Sequence, residues 1–92
     1  IRPAHGYPAC PDHSCKEMIW SLLKVKSNLN VSLTENYAIY PPSSISGLYF
    51  YNKEAKYFSV GKINEQQFEI YSDKSDIDIK KLRSILQNNL DK

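Results

Sequence analysis

The residues best suited to chemistry lie near the start of this 92-residue chain. They form the run Arg2-Pro3-Ala4-His5-Gly6-Tyr7-Pro8-Ala9-Cys10-Pro11-Asp12. Three prolines fix φ and remove N–H donors, which predicts an irregular, stiff loop. A stiff loop loses little entropy when it orders around a ligand. Gly6 has no Cβ and lets backbone approach a ligand closely. Arg2 offers a planar fork of donors that matches a carboxylate. Tyr7 offers an aromatic face that can attract a cation or stack on a base. The run therefore suits a small-molecule clamp. The plainer alternative is a proline-rich cap over a sheet, with Arg2 pairing a surface acid.

Other chemistries find less support. His5, Cys10, His13 and Cys15 fall within eleven positions and are zinc-ligand types, but their spacing matches no usual structural pair, so no metal site is assigned. There is no G-x-S-x-G elbow, and the chain's three glycines make no phosphate-cradling loop. Glu17, Glu35, Glu54, Glu65 and Glu69 are dispersed and read as solvated. The segment alone is not read as catalytic. Of the seven tyrosines, most read as sheet residues with one wet end. Tyr57 stands apart because it follows a turn.

These residues need a scaffold. Ser14 and Glu17 have the spacing of a capping box, which predicts a helix from there to Ser27-Asn28. Ile19, Leu22, Leu23 and Lys26 form its mostly apolar stripe, flanked by Met18 and Trp20. Residues 29–40 change period, with Val31, Leu33, Tyr37 and Ile39 reading as strand. Ile45 to Tyr51 reads as a second strand, apolar on both faces. Asn52 to Ala55 is a hairpin turn and Lys56 to Ile63 the return strand. Asn64 with Gln67 repeats the capping-box spacing and opens a helix to about Tyr71. Asp78 caps a last helix, with Ile77 and Leu82 as a hydrophobic staple. Its buried stripe is Ile79, Leu82, Leu86 and Leu90, with Ile85 beside them. Segregated helices and a hairpin-joined sheet predict an α+β fold with an antiparallel sheet and packed helices.

Composition sets the limits. Twelve Lys and Arg against ten Asp and Glu leave a net charge of +2, too small and too evenly spread for a nucleic-acid binder. No apolar run reaches the ~20 residues of a membrane span. Hydrophobic residues make up 41%, enough to fold with a thin margin. Two cysteines are too few for a disulfide scaffold, which favours a reduced, cytoplasmic protein.

The loop from Arg2 to His13 resembles the signature of the activation domain of cobalamin-dependent methionine synthase. Leu33 to Ile39, Ser44 to Phe50 and Lys56 to Ile63 resemble the same family in the same order. The resemblance covers residues 1–90 and only the C-terminal part of a longer family domain. It implies that residues 1–92 are one segment of that domain, cut at Ile1. The family domain binds S-adenosylmethionine, positioning it for reductive methylation of inactive cob(II)alamin. The parent would be a methyltransferase that moves a methyl group from methyltetrahydrofolate to homocysteine.

Several roles follow from the resemblance alone. The family arginine that meets the methionine carboxylate matches Arg2. Backbone contacts to the amino-acid part match Ala4 and Gly6. The aromatic beside the bound cofactor matches Tyr7, and a later tyrosine matches Tyr57. Implied cofactors are S-adenosylmethionine and, in the parent enzyme, cobalamin. Implied partners are the cobalamin-binding module and a flavodoxin-type or flavoprotein electron donor. Three features depart from the family pattern: His5 stands where proline is usual, Cys15 where an acid is usual, and residues 51–53 differ from the usual turn. The family's upstream acidic ligand groups fall outside these residues. The competing expectation is a scaffold or protein-interaction module without ligand, prone to homodimerise through its apolar strands.

Overall fold

The computed structural model describes residues 1–91. Its elements run in order: a 3-10 turn at His13–Cys15, α1 (Lys16–Leu22), α2 (Val25–Leu29), β1 (Ser32–Leu33), β2 (Ile39–Tyr40), α3 (Glu65–Asp73) and α4 (Ile79–Ile85). β1 and β2 pair antiparallel, Ser32 with Tyr40 and Leu33 with Ile39. The architecture is α+β, as expected.

The first helix departs from expectation. The Ser14/Glu17 capping box does not form. Asp12 caps the 3-10 turn instead, its Oδ1 accepting from the Ser14 N–H and from the Ser14 hydroxyl. A carboxylate two residues upstream takes the Ser14 N–H that the box would have used, and turns the Ser14 hydroxyl into a donor. The helix also breaks after Leu22, because Lys24 adopts φ +48°. That turn swings Leu22 and Leu23 into solvent and buries Val25. The expected apolar stripe is thus largely exposed. Trp20 stays half-buried, its Nε1 donating to the Val31 carbonyl at 2.9 Å.

The expected strand over 29–40 is a small hairpin. Thr34 and Tyr37 close its turn through a Tyr37 N–H to Thr34 carbonyl bond of 3.0 Å, with Tyr37 at φ +65°. The expected strands 45–51 and 56–63 also differ. The turn between them does form, with the Ala55 N–H on the Asn52 carbonyl at 3.0 Å. Yet the two runs do not pair with each other as a ladder. The Leu48 N–H donates to the Pro3 carbonyl at 2.9 Å and the Phe50 N–H to the Ile1 carbonyl at 3.0 Å. Backbone donors must find acceptors, and here the N-terminal loop supplies them.

The last two helices start at their expected caps, but α4 ends at Ile85, short of Leu86 and Leu90 of its expected stripe. Asn64 and Gln67 make a complete capping box, with both bonds at 2.8 Å. Asp78 caps α4 by accepting from the Lys81 N–H. Phe68 of α3 and Leu82 of α4 are fully buried and join Leu86 in the core. Ile63, Ile77, Ile85 and Leu90 pack around them, while Ile79 is exposed. Burying each large side chain contributes about 1.5–3 kcal/mol. Ile63 bridges to Leu90 and clips the chain's end against the start of α3. α4 also packs on the 3-10 turn, so this core supports the N-terminal loop.

Candidate functional site

The loop is built around one tight turn. The Tyr7 N–H donates to the Ala4 carbonyl at 3.3 Å, the Cys10 N–H to the Tyr7 carbonyl at 2.9 Å, and the Gly6 N–H to the Cys10 carbonyl at 2.8 Å. Gly6 sits at φ +96°, a conformation that side-chain-bearing residues rarely adopt. A Cβ there would overlap the His13 ring at Cε1 and Nε2. The imidazole edge is therefore the floor on which the turn rests.

A buried polar cluster fixes that floor. Lys16 Nζ bonds to His13 Nδ1 at 2.9 Å and donates to the Tyr37 carbonyl at 2.8 Å. An ammonium only donates, so Nδ1 accepts and the imidazole proton sits on Nε2. The second carboxylate oxygen of Asp12 accepts from the Tyr71 hydroxyl of α3. His5 is only 6% exposed, and its Nδ1 has no hydrogen-bond partner among the described residues. Burial, together with the nearby Lys16 charge, holds the His5 and His13 imidazoles below their ordinary pKa. Burial also lowers Lys16. Burial, with the bond to Asp12 next, pushes the Tyr71 phenol well above its usual range. Cys10 and Cys15 are free thiols, raised in pKa mainly by burial. A raised thiol is a poor nucleophile at neutral pH.

The candidate binding residues occupy two adjoining places. Arg2 and Tyr57, 55 positions apart in sequence, meet directly: the Arg2 N–H donates to Tyr57 Oη at 2.8 Å. Ala4, Gly6 and Tyr7 share the tight turn. Tyr7 and Tyr57 are 67% and 63% exposed, so both rings present accessible aromatic surface. Gly6 and Tyr7 line a cleft of ≈ 370 Å³ with Pro8, His13, Lys62 and Asn88. Arg2, Ala4 and Tyr57 lie outside that lining. Against the other side of the loop is a more apolar recess of ≈ 670 Å³, lined by Pro3, Cys10, Leu48, Phe50 and Phe58 among others. Among the described residues no group of three His, Cys, Asp or Glu side chains is placed to hold a metal ion.

Sequence reasoning overlooked the Asp12–Tyr71 tie and the role of Lys16. Tyr71 lies 59 positions from Asp12, and no local pattern joins them. The clue for Lys16 was a lysine in a first helical turn, where an acid is the usual choice. It sits there because the Tyr37 carbonyl and His13 Nδ1 receive its charge.

An α+β scaffold carries a stiff loop fixed from beneath, with exposed Tyr7 on the loop and exposed Tyr57 bonded to Arg2. The chain belongs to the activation-domain family of vitamin B12 dependent methionine synthase, whose family model matches residues 1–76. It is also similar to a crystal structure of the MetH reactivation domain bound to AdoHcy, at 40% identity and a TM-score of 0.93. That match covers 100% of this chain and 28% of the other. The chain thus spans little more than a quarter of that relative's length. α4 falls beyond the family model yet inside the structural match.

Proposed function

We propose that this chain is the S-adenosylmethionine-binding part of a methionine synthase reactivation domain. Its role is to present the methyl donor for reductive methylation of inactive cob(II)alamin. The observation that carries this is the meeting of Arg2 and Tyr57 beside the Ala4–Tyr7 turn, in a chain 40% identical to a domain solved with AdoHcy. AdoHcy is what S-adenosylmethionine becomes on losing its methyl group.

The donor set fits such a ligand. Among the described residues the Arg2 guanidinium has no hydrogen-bond or ion-pair partner, which leaves its fork open to a carboxylate. The Tyr57 hydroxyl accepts from Arg2 and keeps its own proton to donate. The positive φ of Gly6 keeps the turn tight on the His13 ring, where a side chain would not fit. Tyr7 supplies an exposed aromatic face for a sulfonium or a base. Bound S-adenosylmethionine supplies the methyl group; this chain's residues hold and orient it.

The wider assignment follows from the same family. The methyltransferase activity, the cobalamin-binding module as neighbour and a flavodoxin-type or flavoprotein electron donor belong to the parent protein. The two free thiols favour a cytoplasmic setting, and no helix among the described residues is long and apolar enough to cross a membrane. A second reading rests on the exposed apolar run at Ile45, Tyr49 and Tyr51. That strip suits a second copy or another module, and a monodisperse monomer in light scattering would count against the homodimer.

The test is Arg2→Ala in the full-length protein carrying this sequence. Calorimetry should show S-adenosylmethionine binding weakened by about 2–3 kcal/mol, because a charged hydrogen-bond partner is lost. Unchanged affinity would remove Arg2 from the site.

A further inference from the structure

The His13 ring lies directly under the Gly6–Tyr7 turn, and Lys16 holds it in one orientation. We propose that His13 is a positioning residue for ligand binding: its neutral imidazole supports the turn, and its protonation releases the turn and weakens the ligand. This rests on the S-adenosylmethionine-binding role proposed above.

The Cε1–Nε2 edge abuts Gly6 so closely that a Cβ could not be inserted. The ring cannot tilt toward the turn, and any shift away leaves the turn unsupported. Nδ1 can accept from Lys16 only while it is unprotonated. A proton there would set two cationic donors 2.9 Å apart, where like charges repel strongly in a partly dry site.

The surrounding charges sharpen the effect. From the loop, His5 and Asp12 face the ring. Lys16 faces it from α1, Lys62 and Tyr7 share its cleft, and Tyr71 of α3 reaches it through Asp12. Lys16 and Asp12 balance when both imidazoles are neutral. A proton on either leaves the cluster with excess positive charge and no further carboxylate among those neighbours. Burial and Lys16 already favour the neutral ring. Lys16 is pinned in turn by the Tyr37 carbonyl, so it cannot easily swing aside. The ring thus acts through the turn it supports.

The experiment is calorimetric titration of AdoHcy into the full-length protein from pH 8 to pH 5, in wild type and in His13→Gln. The glutamine carbonyl can still accept from Lys16 but does not titrate. In wild type the dissociation constant should rise up to tenfold per pH unit once His13 begins to protonate. In His13→Gln that one-proton dependence should vanish, whatever affinity the variant keeps at pH 8. Equal pH slopes in the two proteins would overturn the positioning role and leave the binding role standing. Absence of binding at every pH would overturn both. Should the variant fold poorly, the His13 imidazole can be titrated by NMR in wild type, with and without AdoHcy. Ligand should lower its pKa further, and an unchanged pKa would overturn the proposal.

Discussion

Gly6 combines a φ of +96° with a ring packed against its Cα. Gly6→Ala meets both the backbone strain and the overlap, and the predicted cost is about 2–4 kcal/mol in denaturant unfolding. A cost below about 1 kcal/mol would mean that His13 yields easily. Asp12 is the other residue on which the loop depends. Its carboxylate takes the Ser14 N–H, the Ser14 hydroxyl and the Tyr71 hydroxyl. Asp12→Ala should destabilise by about 2–4 kcal/mol, since buried donors lose their acceptor. A double-mutant cycle with Tyr71→Phe should be clearly non-additive, because the two substitutions remove one shared bond. At this scale the sequence was informative where chemistry is local. The loop residues and Gly6 were legible from residue type. Tyr71 and Lys16 were not, because their partners lie in other elements.

Capping separates what could be read among the elements from what could not. The Asn64/Gln67 box forms as its spacing indicates, whereas Ser14/Glu17 has the same spacing and does not form. Asn64→Ala should therefore cost about 1 kcal/mol in thermal or denaturant unfolding. Glu17→Ala should stay within about 0.5 kcal/mol. Equal costs would contradict this difference in capping. Strand pairing failed for a different reason. The aromatic and β-branched residues of 45–63 mark extended chain, but propensity does not name a partner. Pro3 and Ile1 offer carbonyls to Leu48 and Phe50 from across about half the sequence. In 29–40 the polar residues Glu35 and Asn36 turn the chain back on itself, and alternation alone concealed that turn.

The whole molecule is loosely built. Its radius of gyration is 14.2 Å, against about 12 Å for a compact chain of this length. Its accessible surface is 7312 Å², where a typical folded monomer of this mass exposes about 5,500 Å². Few large side chains are buried, so stability depends heavily on Phe68, Leu82 and the polar cluster. The cluster also sets the response to acid. His5 and His13 have folded pKa values below the ordinary 6.5. Below about pH 6.5 the unfolded chain takes up protons that the folded one refuses, so stability falls as pH falls. The melting temperature should be lower at pH 5 than at pH 7.5. A flat or rising trend toward acid would contradict the buried imidazoles.

Trp20 is the chain's one indole. It is anchored to the Val31 carbonyl on the same short helix that carries Lys16. Its emission therefore reports the helix that supports the N-terminal loop through Lys16 and His13. A denaturation curve followed at that fluorophore can be laid over one followed by loss of ligand binding. Coincident midpoints would show that loop and helices melt as a single cooperative unit. Separated midpoints would show a loop that lets go first, while the indole still glows from a folded support.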